Sequence, residues 1–221
     1  MKIVLFGATG MVGQAVLREA LLDPEVSTVL TIGRRTSDKA DPKLKQLTLV
    51  DLTQYAPIED QLAGYDACLY CLGVSSSGMS EADYTRVTYD YTVAAAEALL
   101  RHNPRLTFVF VSGASSDSSE QGRVMWARVK GKAENAILGM PFAGAYVFRP
   151  AMIQPKHGVV SRTASYRILY TLISPLVPLI KLLFPRFVTT SERVARAMLR
   201  VAKHGTDKRL LENHELDALG A

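Results

Sequence analysis

A short apolar run, Lys2–Phe6, leads directly into Gly7-Ala8-Thr9-Gly10-Met11-Val12-Gly13, and a helical pattern over Met11–Leu22 follows at once. No other feature narrows the fold as far. Glycines spaced GxxGxxG between a buried strand and a helix allow a tight turn at Gly7 and a close backbone approach at Gly10. They also let the helix pack closely on the strand at Gly13. Val12, Val16 and Ala20 share one helical stripe, so this helix buries a face. The unit reads as the opening strand and helix of a βαβ crossover.

The alternation continues along the chain. Apolar runs predict strands at residues 26–32, 47–50, 67–72, 106–111 and 143–148, and helical spacing predicts helices at 80–100, 126–138 and 191–203. Ser80 is placed to cap the longest helix, and Val194, Met198 and Val201 share a face of the last. Continuous apolar strands separated by helices require a parallel sheet covered on both faces. The expected architecture is α/β, a doubly wound parallel sheet forming one domain over residues 1–221, with a small C-terminal helical lobe. Residues 151–190 are expected to cover the pocket on the substrate side. Ligands of such sheets bind beyond the carboxyl ends of the strands, where the strand order reverses. Chemistry is therefore sought just after the first, second, fourth and fifth strands.

With 221 residues, 48% hydrophobic and 21% charged, the chain can bury a sizeable core and does not read as disordered. Its net charge of +5 suits anionic ligands in general, but no run of five basic residues occurs, so nucleic acid is not an expected partner. The two cysteines, Cys68 and Cys71, form a CxxC inside the apolar run 67–72. On a strand they point to opposite faces, and no second CxxC or His pair completes a metal site. Both read as core, no metal is expected, and the lack of a disulfide framework suits a reducing, cytoplasmic setting. The N-terminus has no signal-peptide layout. Residues 166–187 are apolar but carry Pro175, Pro178 and Pro185, and their uncharged part, 168–180, is shorter than the roughly 18 residues of a spanning helix. Peripheral membrane contact through 166–187 stays open beside a substrate-side role. Either a monomer or a homodimer fits.

The glycine loop opens onto the free N–H groups that begin helix Met11–Leu22, and Thr9, Met11 and Val12 stand at the same junction. Such a terminus suits a diphosphate. The second strand ends Ile32-Gly33-Arg34-Arg35. Dinucleotide sites for NAD place Asp or Glu here to hold the ribose 2′-hydroxyl, whereas guanidinium groups can hold a 2′-phosphate by paired charge-assisted hydrogen bonds. The expected cofactor is therefore NADP in preference to NAD, with Arg34 ahead of Arg35. Asp51 is read either as an acceptor for the adenine amino group or as the cap of the following turn, and Leu52 as packing on the ring. Gly73 lets the backbone pass close to the ribose and diphosphate.

These segments, with Val111-Ser112-Gly113-Ala114, Lys130-Gly131-Lys132-Ala133-Glu134 and Phe148-Arg149-Pro150 following in order, resemble the atypical short-chain dehydrogenase/reductase family, with its epimerase-like and Tat-interacting-protein-like branches. The resemblance covers residues 2–150. It implies a Rossmann fold, a nicotinamide dinucleotide, and a Ser or Thr after the fifth strand acting with Tyr-x-x-x-Lys on the next helix. Ser112 takes the first place, with Ser115 as the alternative, and Lys130 takes the place of the lysine that holds the ribose and supports the tyrosine. The tyrosine position is Trp126. An indole N–H donates a hydrogen bond but cannot exchange a proton in the working range. Tyr84, Tyr89 and Tyr91 on the long helix are candidates for the missing proton donor, although such aromatics also read as core or pocket lining. The resemblance further implies that Arg149-Pro150 shapes the pocket, and His157 lies in the next loop as a group that titrates near neutrality. Two functions follow. One is an NADP(H)-dependent oxidoreductase acting on a small carbonyl or alcohol, favoured by Ser112 with Lys130. The other is a non-catalytic NADP(H)-binding regulatory or scaffold protein, favoured by Trp126.

Overall fold

Strand β1 (Lys2–Phe6) has almost no polar face to show: Ile3, Val4, Leu5 and Phe6 are all fully buried. It therefore takes the middle of a parallel sheet. The computed structural model describes residues 1–159 and 185–221. After β1 come α1 (Met11–Leu22), β2 (Thr28–Gly33), β3 (Leu44–Thr48), β4 (Ala67–Tyr70), α2 (Glu81–Thr85), a π-helical turn (Arg86–Asp90), α3 (Tyr91–His102) and β5 (Thr107–Val111). They are followed by α4 (Met125–Gly139), β6 (Gly144–Arg149), β7 (Met152–Gln154), β8 (Val188–Thr190), α5 (Ser191–His204), β9 (Leu210–Glu212) and α6 (Asn213–Leu219). The main sheet runs β3-β2-β1-β4-β5-β6-β9 with every neighbour parallel. This is the doubly wound Rossmann arrangement.

Alternation along the strands divides the core into two layers. Val4 and Phe6 of β1, Cys68 and Tyr70 of β4, and Phe108 and Phe110 of β5 face α3 and α4. Tyr70 sits among rings there, 5.0 Å from Phe6 and 5.9 Å from Phe108. Ile3, Leu5, Leu69 and Val109 face α1, α5 and α6 instead. On that side Val194, Met198 and Val201 of α5 are fully buried, and Lys203 reaches back to Asp23 at 2.7 Å.

Several elements differ from the sequence expectation. The second strand starts at Thr28 rather than residue 26, because the Val26 N–H is turned to Asp23 O. The third is displaced to Leu44–Thr48 at the sheet edge, and Val50 stands 97% exposed. The long helix begins at the Ser80 cap as expected, since Ser80 Oγ accepts from Asp83 N, but it is broken by the π-helical turn. Strand β9 and the small parallel pair β7-β8 were not expected. Their strands are three residues each, too short for a periodic signal. No helix among the described residues is long and apolar enough to cross a membrane. The assignments of 166–187 to membrane contact and 151–190 to pocket cover fall mostly outside the described residues.

Candidate nucleotide-binding site

The strand order reverses between β1 and β4, and a cleft of about 710 Å³ opens beyond the carboxyl ends of the strands there. Its floor is the glycine loop. Gly7 has φ +76°, and a Cβ on it would lie 2.6 Å from the Cys71 carbonyl. Gly10 is the N-cap of α1 and offers no side-chain acceptor, so the first-turn N–H groups beside Met11 and Val12 are left for a ligand. Gln14 Nε2 donates to Thr9 O at 3.0 Å and fixes the loop. Gly13 does not line the cleft; it lies beneath it, where a Cβ would come within 2.0 Å of Gly7 O. The helix thus seats directly on the turn. An extended cradle with unspent N–H donors fits a dinucleotide diphosphate.

Arg34 and Arg35 both line the cleft and are exposed, and neither is engaged in an ion pair or hydrogen bond among the described residues. Leu52 lines the cleft from the β3 side, but Asp51 does not. Asp51 Oδ1 accepts from Thr53 N at 3.0 Å and Thr53 Oγ1 at 2.9 Å, and those bonds hold its carboxyl below the usual range. The carboxylate is spent on the turn, with Arg86 3.6 Å from its other oxygen. Gly73 also lines the cleft, and a Cβ there would meet nothing within 4 Å.

On the far side stand Ser112 and Lys130. Ser112 is buried; its N–H donates to Phe148 O at 2.7 Å and its hydroxyl lies 3.0 Å from Ser116 Oγ. Ser116 donates its single proton to Gly113 O at 2.8 Å. Ser112 is therefore the donor to Ser116. Ser115 is exposed with φ +67° and does not line the cleft. Lys130 Nζ lies 5.7 Å from the Phe110 ring centroid. Burial pulls its pKa from 10.5 down to about 8, partly opposed by Glu134. Glu134 itself is fully buried and holds Arg149 through both carboxylate oxygens.

The remaining candidates separate. Tyr91 lines the cleft, Tyr84 is buried, and Tyr89 carries Lys132 Nζ over its ring at 4.4 Å. Trp126, in the first turn of α4, is half-buried and outside the cleft lining. Arg149 turns away to Glu134, Ser118 and Glu212, and neither it nor Pro150, whose carbonyl accepts from Ala114 N at 2.9 Å, lines the cleft. His157 Nε2 sits 3.2 Å from Glu192, away from the cleft. Cys68 and Cys71 take opposite faces; Cys71 Sγ lies 3.8 Å from Met198 Sδ, and burial raises both thiols. No metal-binding cluster of His, Cys, Asp or Glu occurs among the described residues.

Ser116 and Asp117 carry no signal in the sequence, and Gly131 is named there only as part of a motif. Ser116 orients Ser112. Asp117 ties Ser119 and Gly122 into the loop before α4. Gly131 lets α4 press on that loop, since a Cβ there would lie 1.7 Å from Asp117 O. A glycine inside a helical pattern is the one available signal for this close approach.

The family model described as NAD dependent epimerase/dehydratase matches residues 3–122. Among curated relatives, Protein FMP52-2, mitochondrial, of Scheffersomyces stipitis is 28% identical over 152 residues, 67% of this chain and 65% of that protein. The chain thus spans about two thirds of its length. Among solved structures, the Bordetella bronchiseptica enzyme WbmF in complex with NAD+ superposes with a TM-score of 0.68 at 15% identity, covering 98% of this chain and 76% of that one. A short chain dehydrogenase family protein from Francisella tularensis gives 0.65 at 15% identity, covering 92% and 91%. The likeness to these structures is one of fold. The expectation of a cytoplasmic setting is corrected here: the fungal relatives are named as mitochondrial proteins. The paucity of disulfides on which it rested reports reducing conditions and does not single out a compartment.

Proposed function

Because the chain belongs to the NAD dependent epimerase/dehydratase family, we propose that it is an NADP(H)-dependent oxidoreductase of the atypical short-chain class acting on a small carbonyl or alcohol. The observation that carries the cofactor choice is the pair Arg34 and Arg35, unengaged at the mouth of the glycine-loop cleft with no acid at the end of β2. A 2′-phosphate would neutralise them; a ribose hydroxyl would find no carboxylate. In this reading Thr9, Met11 and Val12 present N–H groups to the diphosphate while Gly10 N–H closes the turn on Gly7 O, Leu52 packs on the adenine, Gly73 passes the ribose, and Lys130 and Ser112 stand at the nicotinamide end. The bound nicotinamide supplies or takes a hydride. The chain's residues orient it, exclude water and move the proton. Gly13 and Asp51 act from outside the cleft, as supports of the loop and the β3 turn. Neither nucleic acid nor a metal has a place in this reading. Monomer and homodimer are both compatible with it, and the mitochondrial setting named for the relatives replaces a cytoplasmic one.

Calorimetric titration of nucleotide-free protein tests it. NADPH is expected to bind at least tenfold more tightly than NADH, because charged hydrogen bonds to the extra phosphate are worth about 1.5–3 kcal/mol. Equal affinities would remove the 2′-phosphate role. A second reading, a non-catalytic NADP(H)-binding regulatory or scaffold protein, is favoured by Trp126. It predicts the same titration with no turnover on any carbonyl.

A further inference from the structure

We propose that Lys130 itself donates the proton in carbonyl reduction at this cleft, a step that rests on the oxidoreductase reading above. The position that the family resemblance assigns to the proton donor is Trp126, which cannot exchange a proton and lies outside the cleft lining. Ser112 lines the cleft but spends its own proton on Ser116. Of the candidate tyrosines, Tyr84 is buried and Tyr89 is covered by Lys132. Lys130 lines the same cleft as the glycine loop, and no carboxylate among the described residues pairs with it. Its neighbour one turn on, Glu134, is fully engaged by Arg149.

Burial makes the Lys130 proton labile, and the charged groups around it are held by other partners or exposed. On α4, Arg128 is held by Glu81 of α2 and Lys132 lies over Tyr89 of the π-helical turn. Tyr91 of α3 and Cys71 after β4 also line the cleft, whereas Arg149 of β6 is paired with Glu134 and does not line it. Arg86 of the π-helical turn pairs with Asp51, and Asp83 of α2 and Asp90 of the π-helical turn are exposed. An amine in this setting titrates near working pH, where a general acid is most effective. The step balances. The hydride that a bound reduced nicotinamide would supply goes to the carbonyl carbon. The C=O π pair moves to oxygen, and the oxygen takes a proton from Lys130 Nζ. The products are the alcohol, the oxidised dinucleotide and a neutral amine, which regains its proton from water.

Trace acetylation of the full chain with acetic anhydride, read by peptide mass spectrometry across neutral to alkaline pH, tests the amine without any substrate. Lys130 is expected to reach half-maximal labelling near pH 8 and to be shielded by saturating NADPH. A Lys130 midpoint at the ordinary lysine value of 10.5 overturns the proposal. NADPH-dependent reduction of an aldehyde panel then tests the step. Lys130→Arg keeps the charge but not the labile proton; it is expected to lose kcat by about 10²–10⁴-fold, far more than it loses NADPH affinity, and to lose the pH inflection. Lys130→Ala is expected to regain turnover with added methylamine. A pH inflection lost in Tyr91→Phe but kept in Lys130→Arg moves the role to the phenol and overturns it. So does wild-type protein that binds NADPH yet reduces no aldehyde, an outcome that leaves the cofactor reading intact.

Discussion

At the scale of single residues, Gly13 carries the tightest contact of the loop, because the atom opposite its missing Cβ is backbone rather than a movable side chain. Gly13→Ala is expected to cost at least about 1–3 kcal/mol, the usual range for overpacking, and to weaken dinucleotide binding with it. Gly73→Ala, with open space around the added methyl, is expected to leave the urea midpoint unchanged. Denaturant titration of both variants makes the comparison. Lys130 carries a pH signature of the opposite kind. Its folded-state pKa is lowered to about 8 from 10.5, so below pH 8 the fold holds a charge it disfavours. Between those values the unfolded chain binds more protons, and stability rises with pH. Lys130→Met is therefore expected to melt higher than wild type at pH 7, with the gap closing above pH 10.5. A gap independent of pH would show that packing, not charge, sets it. The loop glycines were legible in sequence because their spacing at a strand–helix junction has a mechanism. Ser116 and Asp117 were not, because a hydroxyl relay and an Asx turn leave no periodic trace among so many serines.

At the scale of elements, α4 is locked to β6 through Glu134 and Arg149. Glu134 is completely buried and Arg149 nearly so. Removing one partner leaves the other charge uncompensated, which costs about 3–5 kcal/mol, whereas replacing both with apolar residues costs far less. Glu134→Ala and Arg149→Ala are each expected to lower the urea midpoint strongly, and Glu134→Leu/Arg149→Met to recover most of the loss. Additive losses in the double variant would count against a buried pair. Both residues stood in motifs that the sequence resemblance picked out, but their pairing is a contact across 15 positions that no local pattern encodes. The same limit explains the other elements. The buried strands β1, β4 and β5 were readable as apolar runs. The edge strand β3 alternates weakly between half-buried and exposed positions, and β9 is a three-residue segment ordered only by pairing with β6. The π-helical turn in the long helix places Val87 and Tyr91 on the cleft wall. Its sequence, Arg-Val-Thr-Tyr-Asp, is compatible with plain α-helix, so only packing reveals it.

At the scale of the whole molecule, the cleft joins the β1-β2 half to the β5-β6 half across the point where the strand order reverses, so a ligand filling it bridges parts of the chain far apart in sequence. Such a ligand binds the folded state alone and stabilises it by mass action. At a free concentration of about 100 Kd the gain is about 2.7 kcal/mol, which for a domain of this size raises Tm by about 5–11 °C. NADPH is expected to produce that shift, and NADH at the same concentration a smaller one. Arg34→Ala discriminates between a specific phosphate contact and a merely basic rim. If one guanidinium contributes about 1.5–3 kcal/mol through charged hydrogen bonds, the variant's NADPH affinity falls roughly tenfold to a hundredfold and about half or more of the thermal shift disappears. The NADH shift stays as it was, because no 2′-phosphate is there to lose. Raising the salt concentration supplies the control. A basic rim acting through space would fade for wild type and variant alike as its field is screened, whereas a contact formed by Arg34 keeps wild type and variant apart. Equal loss of the NADPH and NADH shifts in Arg34→Ala would mean that the arginine supports the loop rather than reads the phosphate, and the preference for NADP over NAD would fall with it.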